Sequence, residues 1–319
     1  MHEPLVTVIC LCYNHELFVK EAIESVIAQS YQSLQIIVWD DCSTDNSPAV
    51  IQKLAKDYPN LHVILSEKNE GNCRAFNQAY SYARGEFVVD FSTDDVMHEQ
   101  RLEKQVALFS KMNERTGVVF TDATYIDEQG KFIRHHFEHL FKHRLINEVT
   151  TGDVFKAVLT SYYIASPTMM MRRSVFDELG GYNEQLAYED FDLWVRSSRV
   201  FEYAFLDERL TLIRKLSNSM SSRSYVAGDL QLLSTYLVCV NTVTLCRDNS
   251  DREALIYRVC YEHKHAAMSG NHSEAKLFWQ LLKSLREPSL RDMFWHVINL
   301  TRLPLAGMRR IYLRVRYGS

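Results

Sequence analysis

Four short apolar runs, at residues 6–11, 34–39, 61–65 and 86–91, recur along the first part of the chain, separated by stretches with a different rhythm. Over 17–29, Phe18, Ala22, Ile23, Val26 and Ile27 fall on one side while Lys20, Glu21 and Glu24 fall on the other, which predicts an amphipathic helix. Further helices are predicted at about 46–57, with Asp45 or Asn46 able to cap it and Ser47-Pro48 in its first turn, and at 73–83. Runs that are apolar throughout belong to strands buried on both faces. Joined by right-handed β-α-β crossovers, they predict an α/β fold: a doubly wound, mostly parallel sheet with helices on both faces.

Beyond Asp95 the rhythm loosens. A helix is predicted over 99–113, a strand from Gly117 to Phe120 ending near Asp122, and a helix over 151–160. A strand at Pro167–Met171 and a helix at Arg173–Leu179, stopped by Gly180-Gly181, follow, with another helix at Glu189–Val200. Residues 130–150 are polar and aromatic with no period. From Val226 onward the pattern is helical, so the chain divides into a mixed domain over 1–224 and a helical region over 225–319. The stretch Leu230–Cys246 is interrupted by Gln231, Ser234, Thr235 and Asn241, and reads as a core helix rather than a membrane span.

The polar residues just after the strands carry the candidate chemistry. In an open parallel sheet, ligands bind beyond the carboxyl ends of the strands. Asp40-Asp41, Asp94-Asp95 and the segment Cys12-Tyr13-Asn14 all reach that edge, so two acidic pairs can converge on one diphosphate and its metal. Composition adds exclusions. A net charge of −4 gives no footprint for nucleic acid. Seven scattered cysteines, without paired ligand spacing, indicate free thiols in a reducing compartment. The start, Met1-His2-Glu3-Pro4 running straight into a strand, leaves no room for a secretion signal, and the expected location is the cytoplasm.

The run Val6–Asn14 followed by Ile36–Asp45 resembles the opening of family 2 glycosyltransferases of the GT-A fold. The resemblance continues in order through Asn69-Glu70-Gly71-Asn72, Asn77, Arg84-Gly85-Glu86-Phe87 and Ser92-Thr93-Asp94-Asp95. Gly180–Glu184 and Glu189–Arg196 complete it, so that it spans residues 4–222. It implies a nucleotide-sugar-binding part at 1–98 and an acceptor part at 99–224. It further implies an inverting hexosyl transfer from a nucleotide sugar, UDP-linked or else dTDP- or GDP-linked, to a carbohydrate or lipid-linked saccharide acceptor in surface polysaccharide synthesis.

On that resemblance, Leu11, Tyr13, Asn14, Asp41, Asn69, Gly71, Asn77, Asp94 and Arg214 are expected around the donor. Tyr13 would lie against the base and Asp41 would accept from its N–H. Asp94 and Asp95 would hold Mn²⁺ or Mg²⁺, hard cations that prefer carboxylate oxygens and leave positions open for phosphate. Asp190 is the expected general base toward the acceptor hydroxyl, with Glu189 beside it as an acceptor-binding group. Two departures matter. Ser92 stands where the family often has a first metal-binding Asp, and Leu216 stands where an Arg-x-His element has its His, leaving Arg214 or Lys215 to neutralise phosphate.

Other readings compete. Acidic pairs also serve as helix caps, and Glu189-Asp190 could simply favour a helix N-terminus. His135, His136, His139 and His143 suggest metal by their spacing, but Arg134, Lys142 and Arg144 among them point to a solvated segment beside the cleft. The tail 300–319 interleaves Leu303, Leu305, Met308 and Ile311 with five arginines, which suits peripheral contact with the inner face of the plasma membrane or packing on the domain. A catalytically silent carbohydrate-binding or scaffold protein would keep the same fold. A sugar-nucleotide nucleotidyltransferase would need a Gly-rich basic loop after the first strand, where Tyr13-Asn14-His15-Glu16 stands.

Overall fold

The structure is a computed structural model that describes residues 3–217, 225–226, 228, 230–303 and 305–317. The expected division at 224/225 falls partly on residues outside these, as do parts of the tail 300–319. The four apolar runs form β1 (Val6–Cys12), β2 (Leu34–Asp40), β3 (Leu61–Leu65) and β4 (Phe87–Ser92), side by side in the order β3-β2-β1-β4 and all parallel. Their side chains alternate between two cores, because successive residues of a strand point to opposite faces. Ile9, Leu11, Ile37, Trp39 and Val88 enter one core, together with α3 (Asn72–Tyr80). Val8, Cys10, Ile36, Val38 and Val89 enter the other, against α1 (Val19–Ile27) and α2 (Ser47–Asp57). In the central strands little of either face meets water, which is why they read as apolar runs.

Past β4 the sheet takes in short antiparallel pairings, while its long pairings, those among β1 to β4 included, are parallel as expected. The two-residue β5 (Val96–Met97) is followed by α4 (Arg101–Phe109), β6 (Thr116–Ile126), β7 (Phe132–His135), α5 (His136–Lys142) and α6 (Phe155–Thr160). Then β8 (Met170–Arg172) pairs antiparallel with both β4 and β6, and so joins the two halves of the sheet. After α7 (Arg173–Leu179) and α8 (Asp190–Ser197), the 13-residue β9 (Glu202–Arg214) runs parallel to β6 and antiparallel to β5. The short connection between β6 and β7 leaves no room for a crossover helix, and antiparallel pairing needs none.

The chain then forms α9 (Gln231–Leu245), α10 (Asn249–Ser269), α11 (His272–Leu285), α12 (Leu290–Thr301) and α13 (Ala306–Tyr317). Ionic and polar ties bind this helical region to the sheet domain. Buried Arg258 donates to the Leu159 carbonyl at 2.8 Å, Arg199 pairs with Asp251 at 2.8 Å, and the Tyr188 and Thr235 hydroxyls meet at 2.6 Å. Among the described residues no helix is long and apolar enough to cross a membrane. All seven cysteines are free thiols.

Candidate active site

The carboxyl ends of β1 and β4 open on a cavity of about 500 Å³, closed on its other side by the start of α8 and by residues of α9 and α10. Leu11, Asn72, Asp90 and Ser92 line it from the first half of the sheet, Glu189 and Asp190 from α8, and Lys215 from the end of β9. Around it lie the two acidic pairs, in different settings.

At the end of β4, Asp94 is partly exposed and its Oδ1 accepts from the Ser92 hydroxyl. Asp95 is 3% exposed and its Oδ1 accepts from the backbone N–H of Arg214 at 2.8 Å. Burial and the neighbouring Asp94 charge push the Asp95 carboxyl well above the usual carboxylate range. The pair therefore has one partly exposed carboxylate, held by the cavity-lining Ser92, and one turned into the fold. Among the described residues no cluster of three or more His, Cys, Asp or Glu side chains could cage a metal. The donor set does suit Mn²⁺ or Mg²⁺ held by one carboxylate, since such ions take most of their remaining positions from water and substrate phosphates.

At the start of α8, Glu189 accepts from the Asn72 side-chain amide and is hydrogen-bonded to Asp190. Asp190 is partly buried, and one of its carboxylate oxygens is enclosed without a hydrogen-bond partner. A third carboxylate, Asp90 of β4, faces the same cavity and accepts from the Tyr182 hydroxyl at 2.9 Å. Burial raises all three acids. They are not raised alike: Asp90 is pushed up to about 7, and Glu189 is raised well above its ordinary value by burial and by both aspartates. The Glu189–Asp190 hydrogen bond acts on the two in opposite directions, raising Glu189 and lowering Asp190.

The loops expected around a nucleotide gather at one rim. Tyr13 is 46% exposed at the end of β1, so its ring is open to solvent rather than buried in the core. Asn14, at φ 58°, accepts the Thr44 N–H at 2.8 Å, and its own N–H donates to the Ser43 hydroxyl. Asp41 accepts the N–H groups of Glu70 and Gly71, both at 2.9 Å, which ties the exposed Asn69 loop to the end of β2.

Two expected donor contacts lie elsewhere. Asn77 spends its amide on Tyr182 and Glu184: it donates to the Tyr182 carbonyl at 2.9 Å and accepts the Tyr182 N–H at 2.9 Å. It latches α3 to the Gly180–Glu184 turn. Arg214 is also absorbed by the fold. Its guanidinium donates to the Asp94 carbonyl at 3.0 Å, the Asp127 carbonyl at 3.2 Å and Glu21 at 2.7 Å, and lies 4.7 Å from the Phe18 ring. A cation so placed is not free to meet phosphate. Lys215 beside it lines the cavity, its ammonium lowered by burial and by Arg134 while Asp95 and Asp94 oppose that shift.

Asp90 was missed from sequence, although a lone carboxylate within an apolar strand is a signal in itself. Among the histidines, His136 lines the cavity with Nε2 2.7 Å from the Tyr163 carbonyl, and His139 stands against Arg134.

Known proteins share this fold. The family model described as glycosyl transferase family 2 matches residues 7–180. EpsE of Bacillus subtilis, named as a glycosyltransferase, is 30% identical over 244 residues, covering 74% of this chain and 82% of that protein. An uncharacterized glycosyltransferase of Rickettsia felis is 26% identical over 221 residues, covering 69% of this chain but 35% of its own length, so the chain spans about a third of that relative. Among solved structures, residues 1–349 of S. aureus TarS in complex with UDP-GlcNAc superpose with a TM-score of 0.69 at 18% identity, covering 96% of this chain and 92% of that one. The mannosyltransferase PcManGT from Pyrobaculum calidifontis, in complex with GDP-Man and Mn²⁺, gives 0.62 at 14% identity, covering 97% and 88%. These structures share the GT-A fold with it, and by sequence the chain belongs to glycosyl transferase family 2.

Proposed function

We propose that the chain transfers a sugar from a nucleotide-sugar donor, UDP-linked in the first instance, to a hydroxyl of a carbohydrate or lipid-linked saccharide acceptor, with inversion, in surface polysaccharide synthesis. The observation that carries this reading is the Asp190 oxygen without a partner in the wall of the cavity. Polar groups buried without partners are rare, and one on an ionised carboxylate beside a cleft is suited to accept a proton from a substrate.

In this reading the Asp190 carboxylate removes the acceptor hydroxyl proton as that oxygen bonds to the anomeric carbon. The bond from the anomeric carbon to the diphosphate breaks, and its electron pair leaves with the nucleoside diphosphate. A single displacement inverts the centre. In the same reading Glu189 is the proton donor of its hydrogen bond to Asp190 and so holds that carboxylate ionised and in place, and is itself oriented by Asn72. Tyr13 and the Asp41-tied loop bound the base, and Lys215 offsets charge on the departing phosphates. A divalent cation bound at Asp94, with Asp95 behind it, would supply further neutralisation of the diphosphate.

The test is UDP release from UDP-GlcNAc and other UDP-sugars with Mn²⁺, with and without saccharide acceptors. Wild-type turnover should require the metal. Asp190→Asn should abolish acceptor-dependent release while binding UDP as tightly as the wild type; full turnover in that variant would defeat the assignment. The TarS and PcManGT complexes, with UDP-GlcNAc and with GDP-Man, support a nucleotide-sugar donor and leave the base open to this assay.

A further inference from the structure

The helix α12 is firmly attached by one side only. A capping box at Ser289 and Asp292 fixes its start, Arg286 pairs with Asp292 at 2.7 Å, and the Asn299 side-chain oxygen accepts from the His272 ring Nδ1 at 2.8 Å. Its other side carries Leu290, Met293, Phe294, Val297 and Leu300, followed by Leu303, and these are between 46% and 87% exposed. Spaced by three and four residues, the helical members form one stripe. An apolar stripe this continuous on an anchored helix marks a contact surface rather than scattered surface residues.

What covers it is indicated by charge. From residue 293 to 319 the chain has five arginines and no aspartate or glutamate. Beside the stripe lies a second cavity of about 450 Å³ between α11 and α12. Lys276, Lys283 and Arg302 line it, with the Trp279 and His296 rings stacked 4.1 Å apart, and no carboxylate is among its walls. Leu300 belongs both to this cavity and to the stripe. A second copy of the chain seated on the stripe by a two-fold axis would set these cations against their own kind. A bilayer with anionic headgroups satisfies both parts, taking the apolar stripe among its acyl chains and a phosphate in the basic cavity.

We propose that α12, with the basic cavity between α11 and α12, is a docking surface for anionic phospholipid, so that the protein works against a membrane. This does not depend on which sugar is moved or on which residue acts as base.

The full chain is mixed with vesicles of equimolar phosphatidylglycerol and phosphatidylcholine, or of phosphatidylcholine alone, and sedimented. Binding should favour the anionic vesicles and weaken as salt is raised. Phe294→Asp should reduce it roughly tenfold, in proportion to the apolar area lost. Lys276→Gln and Lys283→Gln should each reduce it about fivefold. Melting curves and UDP release in lipid-free buffer should match the wild type for all three, since none touches the active-site cavity. Equal binding to both vesicle types, no binding to either, or Lys variants that bind as the wild type does would overturn the proposal. So would light scattering that finds a dimer split by Phe294→Asp, because the stripe would then be covered by a second copy.

Discussion

The acidic pair at the end of β4 and the pair at the start of α8 use the same side chains in opposite ways. Asp95 is held by a backbone N–H, with Arg101 and Lys215 favouring its charge, and Asp94 beside it stays partly exposed. Near Glu189 and Asp190 the neighbours are Asn72, Ser166 and another carboxylate, Asp90, with no cation among the causes of their shifts. Where cations stand near, a carboxylate pair is suited to metal and phosphate. Where only dipoles and other acids do, it is suited to holding and moving a proton.

The contrast can be broken at several points. Asp190→Asn should have the largest effect, a loss of about 10²–10⁴ in kcat in the UDP-release assay, the usual worth of a general base. Glu189→Gln should lose much less, because its amide can still donate to Asp190. Because burial holds Asp190 above the usual aspartate range, kcat/KM should fall on acidification as that group takes up its proton.

Next comes Asp90, raised from 3.8 to about 7 by burial. A raised carboxylate contributes stability that is complete below its unfolded value and is lost as pH rises through the folded one. The protein should therefore lose up to about 4 kcal/mol between pH 4 and pH 8 through this group. Asp90→Asn, which keeps an acceptor for Tyr182, should flatten that slope in denaturant titrations; an unchanged slope would place the titration elsewhere.

Within the β4 pair, Asp95→Ala should cost ~1–3 kcal/mol of stability, since the Arg214 N–H loses its acceptor. Asp94→Ala should leave the melting temperature nearly unchanged and remove the response to Mn²⁺. The smallest expected effect lies at Gly181, with φ 80° and a would-be Cβ 2.6 Å from the Asn77 oxygen. Gly181→Ala should cost about 1–2 kcal/mol and loosen the latch between α3 and the turn before α8.

The first half of the fold was legible because its central strands are largely buried on both faces and announce themselves as apolar runs. β9 was not, since Asp207-Glu208-Arg209 interrupt it and its register against β6 shifts near Asp122. α5 escaped notice for a similar reason: Phe137 and Leu140 are its only buried apolar residues, and its third buried residue is His136. The same limit applied to the site. Local pattern brought out the acidic pairs and the exposed ring of Tyr13. It could not separate polar residues that face the cavity from Asn77 and Arg214, whose partners lie about a hundred residues or more away in the chain. Nor did it bring out Asp90, whose partner Tyr182 is equally distant.

The two amide bonds accepted by Asp41, and the Asn14 link to Thr44, have a thermodynamic consequence. The rim beside Tyr13 is assembled before any ligand arrives, so an incoming nucleotide need not order those loops. Complex formation should then forfeit little backbone entropy there, and calorimetry of UDP binding should show a modest entropic penalty that grows when Asp41→Ala frees the loop.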